Sequence, residues 1–243
     1  MLVLALDTST PTGSVALLDD EALLAEASAE VKGRHGELLI STIAGVLEAA
    51  RRTIREVELV AVGIGPGSFT GVRIGVATAK GLAFANGVPL VGVVSLQAMA
   101  RGLGANAGDA AADALLVPLA HAHRGEVFGA VYRPSSEGLE EVLAPFHALP
   151  LDAARAVTDA AAGAPLLVTG DGYRLFREQF QGALGDATIA DESFDLPTGA
   201  AIGHEGRRAF LARGPDNPAL LEPLYVRPSD AKLPATPLRI PGR

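Results

Sequence analysis

The sequence predicts an α/β protein built of two related lobes, and three observations lead there. The first thirty residues alternate apolar and turn-forming stretches at strand length. After them, strand and helix patterns alternate. The second half then repeats the theme more loosely.

Leu2 to Leu6 is a short apolar run suited to a strand covered on both faces. Thr8-Ser-Thr-Pro-Thr-Gly13 is turn chemistry, Ser14 to Leu18 resumes β-type residues, Asp19-Asp20 turns again, and Leu23 to Ala29 makes a third strand. A meander before any helix sets the chain apart from a dinucleotide-binding fold, which opens by alternating strand and helix. From about His35 to Arg52, Leu38, Leu39, Ile43, Val46, Leu47 and Ala50 recur at helical spacing. Leu59 to Ile64 is the next strand, and Gly65-Pro-Gly-Ser-Phe-Thr-Gly71 is a loop behind it. A second helix is expected from Val72 to about Ala85, ended by Asn86-Gly87 as a left-handed cap, and Pro89 to Val94 is one more strand.

Gly102 to Asp109 is rich in Gly and Ala and poorly periodic, so the lobe boundary is expected between residues 95 and 110. Beyond it, Leu115 to Leu119 and Val127 to Tyr132 read as strands, with Pro134-Ser-Ser-Glu-Gly138 as a hairpin-like turn. Leu166 to Thr169 reads as a strand, followed by Gly170-Asp-Gly172 and a helix through Phe180; Thr198 to about Arg213 is the last helix. Seven prolines after Gly214 rule out a long helix and predict an extended tail with a disordered end. The expected division is 1–98, 99–213 and 214–243.

Composition narrows the function. With 20 Lys and Arg against 28 Asp and Glu, the net charge of −8 repels phosphate backbones and argues against a stand-alone nucleic-acid binder. The chain has no cysteine, which removes disulfides, thiolate catalysis and Cys-ligated zinc. Apolar runs break well short of the ~20 residues a membrane span needs, and Asp7 interrupts the first run with no basic segment before it. The expectation is a cytoplasmic globular protein.

Asp7, at the end of the first strand, precedes a hydroxyl-rich turn. Such a carboxylate can hold a metal or a water while Thr8 and Ser9 face phosphate oxygens, or it can cap its own turn. The string from Gly65 to Gly71 fixes a tight path before a helix N-terminus, so Gly65, Gly67, Ser68 and Thr70 are candidate anion contacts. The alternative is a turn whose glycines permit close strand–helix packing. The string is neither a P-loop, lacking Gly-Lys-Ser/Thr, nor a dinucleotide fingerprint. Gly71, Gly75 and Ala79 share one helix face with Ile74 beside them; with Leu38, Leu39, Ile43 and Val46 they form a candidate partner surface or pack on the chain's own sheet. His121-Ala-His123 puts two imidazoles on one side of a strand, but no third ligand completes a metal site. A nucleophile elbow is missing, so hydrolase chemistry has no visible carrier.

Leu4-Ala-Leu-Asp-Thr-Ser-Thr10, Gly65-Pro-Gly-Ser-Phe-Thr-Gly-Val-Arg-Ile-Gly75 and Lys80-Gly-Leu-Ala83 together resemble the TsaB (YeaZ) family. Arg124-Gly-Glu-Val-Phe128, Thr169-Gly-Asp-Gly172 and Pro223-Leu-Tyr-Val-Arg227 match it more weakly. The resemblance implies a two-lobed actin/hexokinase-like ATPase (ASKHA) fold, mixed sheets flanked by helices. It implies a non-catalytic role in making N6-threonylcarbamoyladenosine (t6A) at position 37 of tRNAs reading ANN codons. In that family TsaC makes threonylcarbamoyl-adenylate, TsaD transfers the carbamoyl group, and TsaE is an ATPase supporting turnover. TsaD holds its metal with a His-x-x-x-His pair, a spacing this sequence lacks.

By the same resemblance, helices 35–52 and 72–85 join TsaD or a second copy. No cofactor is expected for the isolated chain, with ATP or ADP left open at the TsaD joint, and no tRNA contact is expected from the chain alone. The family's Asp-Ala-Arg before Arg124-Gly-Glu126 is His121-Ala-His123 here, so no role of that Asp carries over. The alternative is a small-molecule kinase or other ATP-using enzyme of the same fold, for which Gly170-Asp-Gly172 would have to serve as a second phosphate loop.

Overall fold

A computed structural model describes residues 1–30, 35–106, 113–136 and 138–227, with the side chains of 35–37 and 105–106 set aside. Among these, ten strands form two five-stranded sheets. The first comprises β1 (Leu2–Asp7), β2 (Thr12–Asp19), β3 (Ala22–Glu30), β4 (Leu59–Gly63) and β5 (Leu90–Val93) in the order β3-β2-β1-β4-β5. The second comprises β6 (Leu115–His121), β7 (Val127–Ser135), β8 (Gly138–Ala148), β9 (Leu166–Thr169) and β10 (Thr188–Ile189) in the order β10-β9-β6-β7-β8. In each, the first strand pairs antiparallel with the second and parallel with the fourth. The two sheets are topological copies, so the repeated theme of the sequence is a repeated fold.

Helices fill both faces of each sheet. α1 (His35–Ala49) and α2 (Phe69–Asn86) cover one face of the first sheet, where Leu2, Leu4 and Leu6 of β1 meet Leu39, Ile43, Val46, Val72 and Val76. Val3 and Ala5, alternating to the opposite face, meet α7 (Gly199–Arg213). α3 (Ser95–Asn106) packs Leu96, Met99 and Leu103 on the second sheet while Ala98 reaches the first. α4 (Pro150–Ala161), α5 (Asp171–Leu175) and α6 (Arg177–Gln181) cover the outer face of the second sheet. The inner layer is fastened by buried Glu205 of α7, which accepts from Gln97 and Arg101 of α3 and from Arg208.

Several elements differ from the sequence reading. The first helix stops at Ala49, because Arg51 takes a left-handed conformation, φ 53°. The second begins at Phe69, inside the expected loop, because the Ser68 hydroxyl accepts from Gly71 N and caps it; Gly87, φ 67°, ends it as expected. Gly102 to Asn106, read as aperiodic, is the last turn of α3; residues 107–109 lie outside the described residues. The sequence reading has no counterpart of β8, β10, α4 or the body of α3, and the helix expected through Phe180 breaks into α5 and α6 at Phe176.

The last helix, grouped by sequence with the second lobe, packs on the first sheet. Its glycines explain why: a Cβ at Gly203 would sit 2.3 Å from Leu18 Cδ1, and one at Gly206 would sit 2.4 Å from Ala61 Cβ. That flat face lets the helix axis lie close to the strands. The tail from 214 to 227 runs as irregular chain back along β5 and α2, with Asp216 Oδ2 accepting from Gly92 N at 2.8 Å and Leu224 N donating to Ile64 O at 2.7 Å. Its expected disordered end, 228–243, lies outside the described residues.

Candidate functional site

The residues singled out from sequence converge at the C-terminal edge of the first sheet. Asp7 is fully buried there, and donors of the same chain engage both its oxygens. Oδ1 accepts from Ser9 N at 2.7 Å and Ser9 Oγ at 2.6 Å; Oδ2 accepts from Ser95 Oγ at 2.6 Å. Ser95 Oγ in turn accepts from Gly65 N at 3.1 Å. Burial pushes the Asp7 carboxyl above its ordinary range, against the pull of the Ser9 and Ser95 hydrogen bonds. Gly63 is required beside it, since a Cβ at that position would lie 1.8 Å from Asp7 Oδ2. Of the two readings of Asp7, the geometry is that of a carboxylate capping its own turn.

The glycine loop closes over the same turn. Thr8 Oγ1 donates to Gly71 O at 2.7 Å, and Ser68 N donates to Ser9 O at 2.7 Å. A Cβ would lie 2.2 Å from Ser9 O at Gly67 and 2.1 Å from Thr8 O at Gly71. The glycines therefore permit the two turns to touch. Gly65 adopts φ 89° and is buried, while Ser68 is half-buried and Thr70 exposed. Ser95, the residue that joins Asp7 to Gly65, was not singled out; its one signal is a serine opening a helix directly after a strand.

The second half contributes Gly170-Asp-Gly172. A Cβ at Gly170 (φ 121°) would lie 2.1 Å from Leu119 O, and Asp171 Oδ1 accepts from His121 N at 2.8 Å. This segment is packed against β6. His121 ends the strand and His123 lies beyond it at φ 60°, so the two rings do not share a strand face; they meet through the turn, with centroids 4.6 Å apart. Burial, then the neighbouring His123, lowers the His121 pKa, and burial raises that of Asp171. Among the described residues no three His, Asp or Glu side chains are grouped to hold a metal.

Between the two edges, Ser9, Pro66, Ser95, His121 and Asp171 enclose about 30 Å³. That is room for a water or two, against the roughly 300–1,000 Å³ of a small-molecule pocket. A nucleotide does not fit in this space; Gly67, Ser68 and Thr70 of the glycine loop also line a separate cavity of about 700 Å³.

The partner-surface residues are also placed differently. Leu39, Ile43, Val46, Gly71, Gly75 and Ala79 are buried against the chain's own sheet, with Ile74 and Leu38 half-buried at its margin. A Cβ at Gly75 would lie 2.2 Å from Thr8 Oγ1. The stripe is a core stripe because small residues at four-residue spacing suit a sheet as well as a helix. The outer faces of the same helices carry different residues: Ile40, Ala44 and Gly45 on α1, and Ala77, Gly81 and Phe84 on α2, all exposed, Phe84 at 92%. Nothing lies within 4 Å of a Cβ at Gly45 or Gly81.

Comparison with known proteins agrees with the arrangement. The family described as "TsaD: tRNA N6-adenosine threonylcarbamoyltransferase" matches residues 28–152, just over half of the chain. The chain is 29% identical over 237 residues to the tRNA threonylcarbamoyladenosine biosynthesis protein TsaB of Bacillus subtilis, covering 96% of each. It superposes with a TM-score of 0.80 and 26% identity on a Pseudomonas aeruginosa structure described as similar to peptidase YEAZ, covering 93% of this chain and 99% of that one. The ethanolamine utilization protein EutJ of Carboxydothermus hydrogenoformans, 17% identical with a TM-score of 0.53 over 83% of this chain and 90% of that one, shares the fold alone. The architecture is thus the two-lobed actin/hexokinase-like ATPase fold, and the chain belongs to the tRNA N6-adenosine threonylcarbamoyltransferase (TsaD) family, where it stands with the TsaB (YeaZ) proteins.

Proposed function

We propose that this chain is a non-catalytic subunit of the apparatus that forms t6A at position 37 of tRNAs reading ANN codons, and that it works in the cytoplasm by holding TsaD. The observation that carries the reading is the closed joint between the lobes. Where the two lobes meet, Ser9, Pro66 and Ser95 face His121 and Asp171 across about 30 Å³, too little for a nucleotide. The small-molecule kinase reading needs that joint open and finds no support in it.

The contact with TsaD is assigned to the outer faces of α1 and α2. There Ala44, Gly45, Ala77 and Gly81 allow another helix close, flanked by exposed Ile40 and Phe84. The contact uses the same two helices that the resemblance implies, through the residues of their outward faces. The same face is self-complementary in character, so two copies pair through it when TsaD is absent. TsaE acts on the assembled complex, ATP or ADP enters only where TsaD completes a site, and threonylcarbamoyl-adenylate reaches TsaD from TsaC. No helix of the described residues is long and apolar enough to cross a membrane.

Reconstitution tests this. TsaC, TsaD and TsaE with unmodified tRNA are expected to form t6A, detected by mass spectrometry of digested nucleosides, only when this chain is added. Full modification without it overturns the proposal.

A further inference from the structure

A trough runs beside α2, floored by the tail and bounded at one end by the β6–β7 turn. It consists of two cavities, about 700 and 350 Å³, which meet at Arg73 and Tyr225, residues lining both. Arg124 and Arg227 line one end, Arg73 the middle and Lys80 the other end, with Glu222 as the carboxylate among the lining residues. Arg227 is held by Glu126 at 3.0 Å, which anchors the tail. Arg73 and Lys80, seven residues apart on α2, share one helix face. Arg227 is paired with Glu126, so the positive charge of the trough rests chiefly on Arg73 and Lys80 of α2.

The middle of the trough is a cluster of one guanidinium and two tilted rings. The Arg73 guanidinium lies 3.7 Å over the Phe69 ring, its Nε donates to the Tyr225 hydroxyl at 2.7 Å, and the two rings are 5.5 Å apart. Phe69 and Tyr225 stay about half exposed, at 49% and 48%. Among the described residues, neither the Arg73 Nη groups nor Lys80 Nζ has a hydrogen-bond or ion-pair partner. Cations along a track with aromatic and guanidinium planes between them are what single-stranded nucleic acid uses, phosphates on the charges and bases on the planes.

We propose that this trough seats a single-stranded RNA segment. The track continues on both sides of Arg73, a length that suits a strand. The choice of RNA rests on the pathway proposed above; the charge and stacking do not. The expectation that the chain has no contact with tRNA was drawn from net charge, which averages over this groove.

Fluorescence anisotropy with the full chain and a labelled single-stranded RNA dodecamer at low salt tests the proposal. Saturable binding is expected, weakened roughly fivefold or more by Arg73→Ala and by Tyr225→Ala. Lys80→Ala, which removes no hydrogen bond of the folded chain, should flatten the slope of log affinity against log salt by about 0.7. Arg155→Ala, on α4, should leave both unchanged. Circular dichroism melting checks that each variant is folded. Absence of saturable binding, variants that bind as the parent does, or displacement of the RNA by equimolar ADP each overturns the proposal. No RNA binding by the unsubstituted chain with t6A reconstitution intact refutes the trough alone; RNA binding as expected with t6A formed in the chain's absence refutes the proposed function alone.

Discussion

Asp7 carries an ionisable group where water does not reach, and its neighbours define what that means for stability. Its folded pKa is raised by burial, so the folded state holds the proton more tightly than the unfolded chain. Stability from this group is complete below the ordinary carboxyl range and is lost as pH rises through the raised value. Asp7→Asn removes the titration. The stability of the parent relative to Asp7→Asn, read as the difference in urea midpoints, should therefore fall as pH is raised from about 4 toward neutrality; a pH-independent difference would show that the carboxylate is not desolvated as described. Asp7 was legible from sequence as a turn-capping residue, since an Asp followed by Thr-Ser-Thr has local donors. Ser95, 88 residues away and donor to the other oxygen, was not.

At the scale of the element, α2 shows why a small-residue stripe is ambiguous in sequence. Gly71, Gly75 and Ala79 sit under Thr8 and β1, whereas Ala77 and Gly81 face out, and both sets are small. Two substitutions separate them. Gly75→Ala drives a Cβ toward Thr8 Oγ1, whose bond to Gly71 O must then shift; it should cost about 1–3 kcal/mol in urea unfolding despite the better helix propensity of Ala. Gly81→Arg meets open space, should melt no lower than the parent, and should abolish co-elution with TsaD on size exclusion. A Gly81→Arg protein that still co-elutes would move the docking face elsewhere. Helical periodicity made α1 and α2 readable, because their apolar faces repeat at three and four residues. The inner α7 was readable as a helix but not in its placement, since a glycine face carries no hydrophobic signal.

At the scale of the molecule, two sheets of identical topology close on one another through α3 and α7, and the joint they leave is filled by their own turns. Isothermal titration of the isolated chain with Mg-ATP should show no saturable heat; micromolar binding would favour the ATP-using alternative. The sequence by itself determined β1 to β7, β9, α1, α2, the last helix and the family, because periodicity, caps and turn residues are local and the Gly65–Gly75 string is distinctive. Tertiary structure alone decided which face of each helix is core, that the last helix lies on the first sheet, that the two turns close on each other, and that four cations from three separate segments line one trough. Those facts depend on contacts between residues far apart in the chain. Close packing sets such contacts through backbone approach and buried hydrogen bonds, neither of which leaves a periodic mark on the sequence.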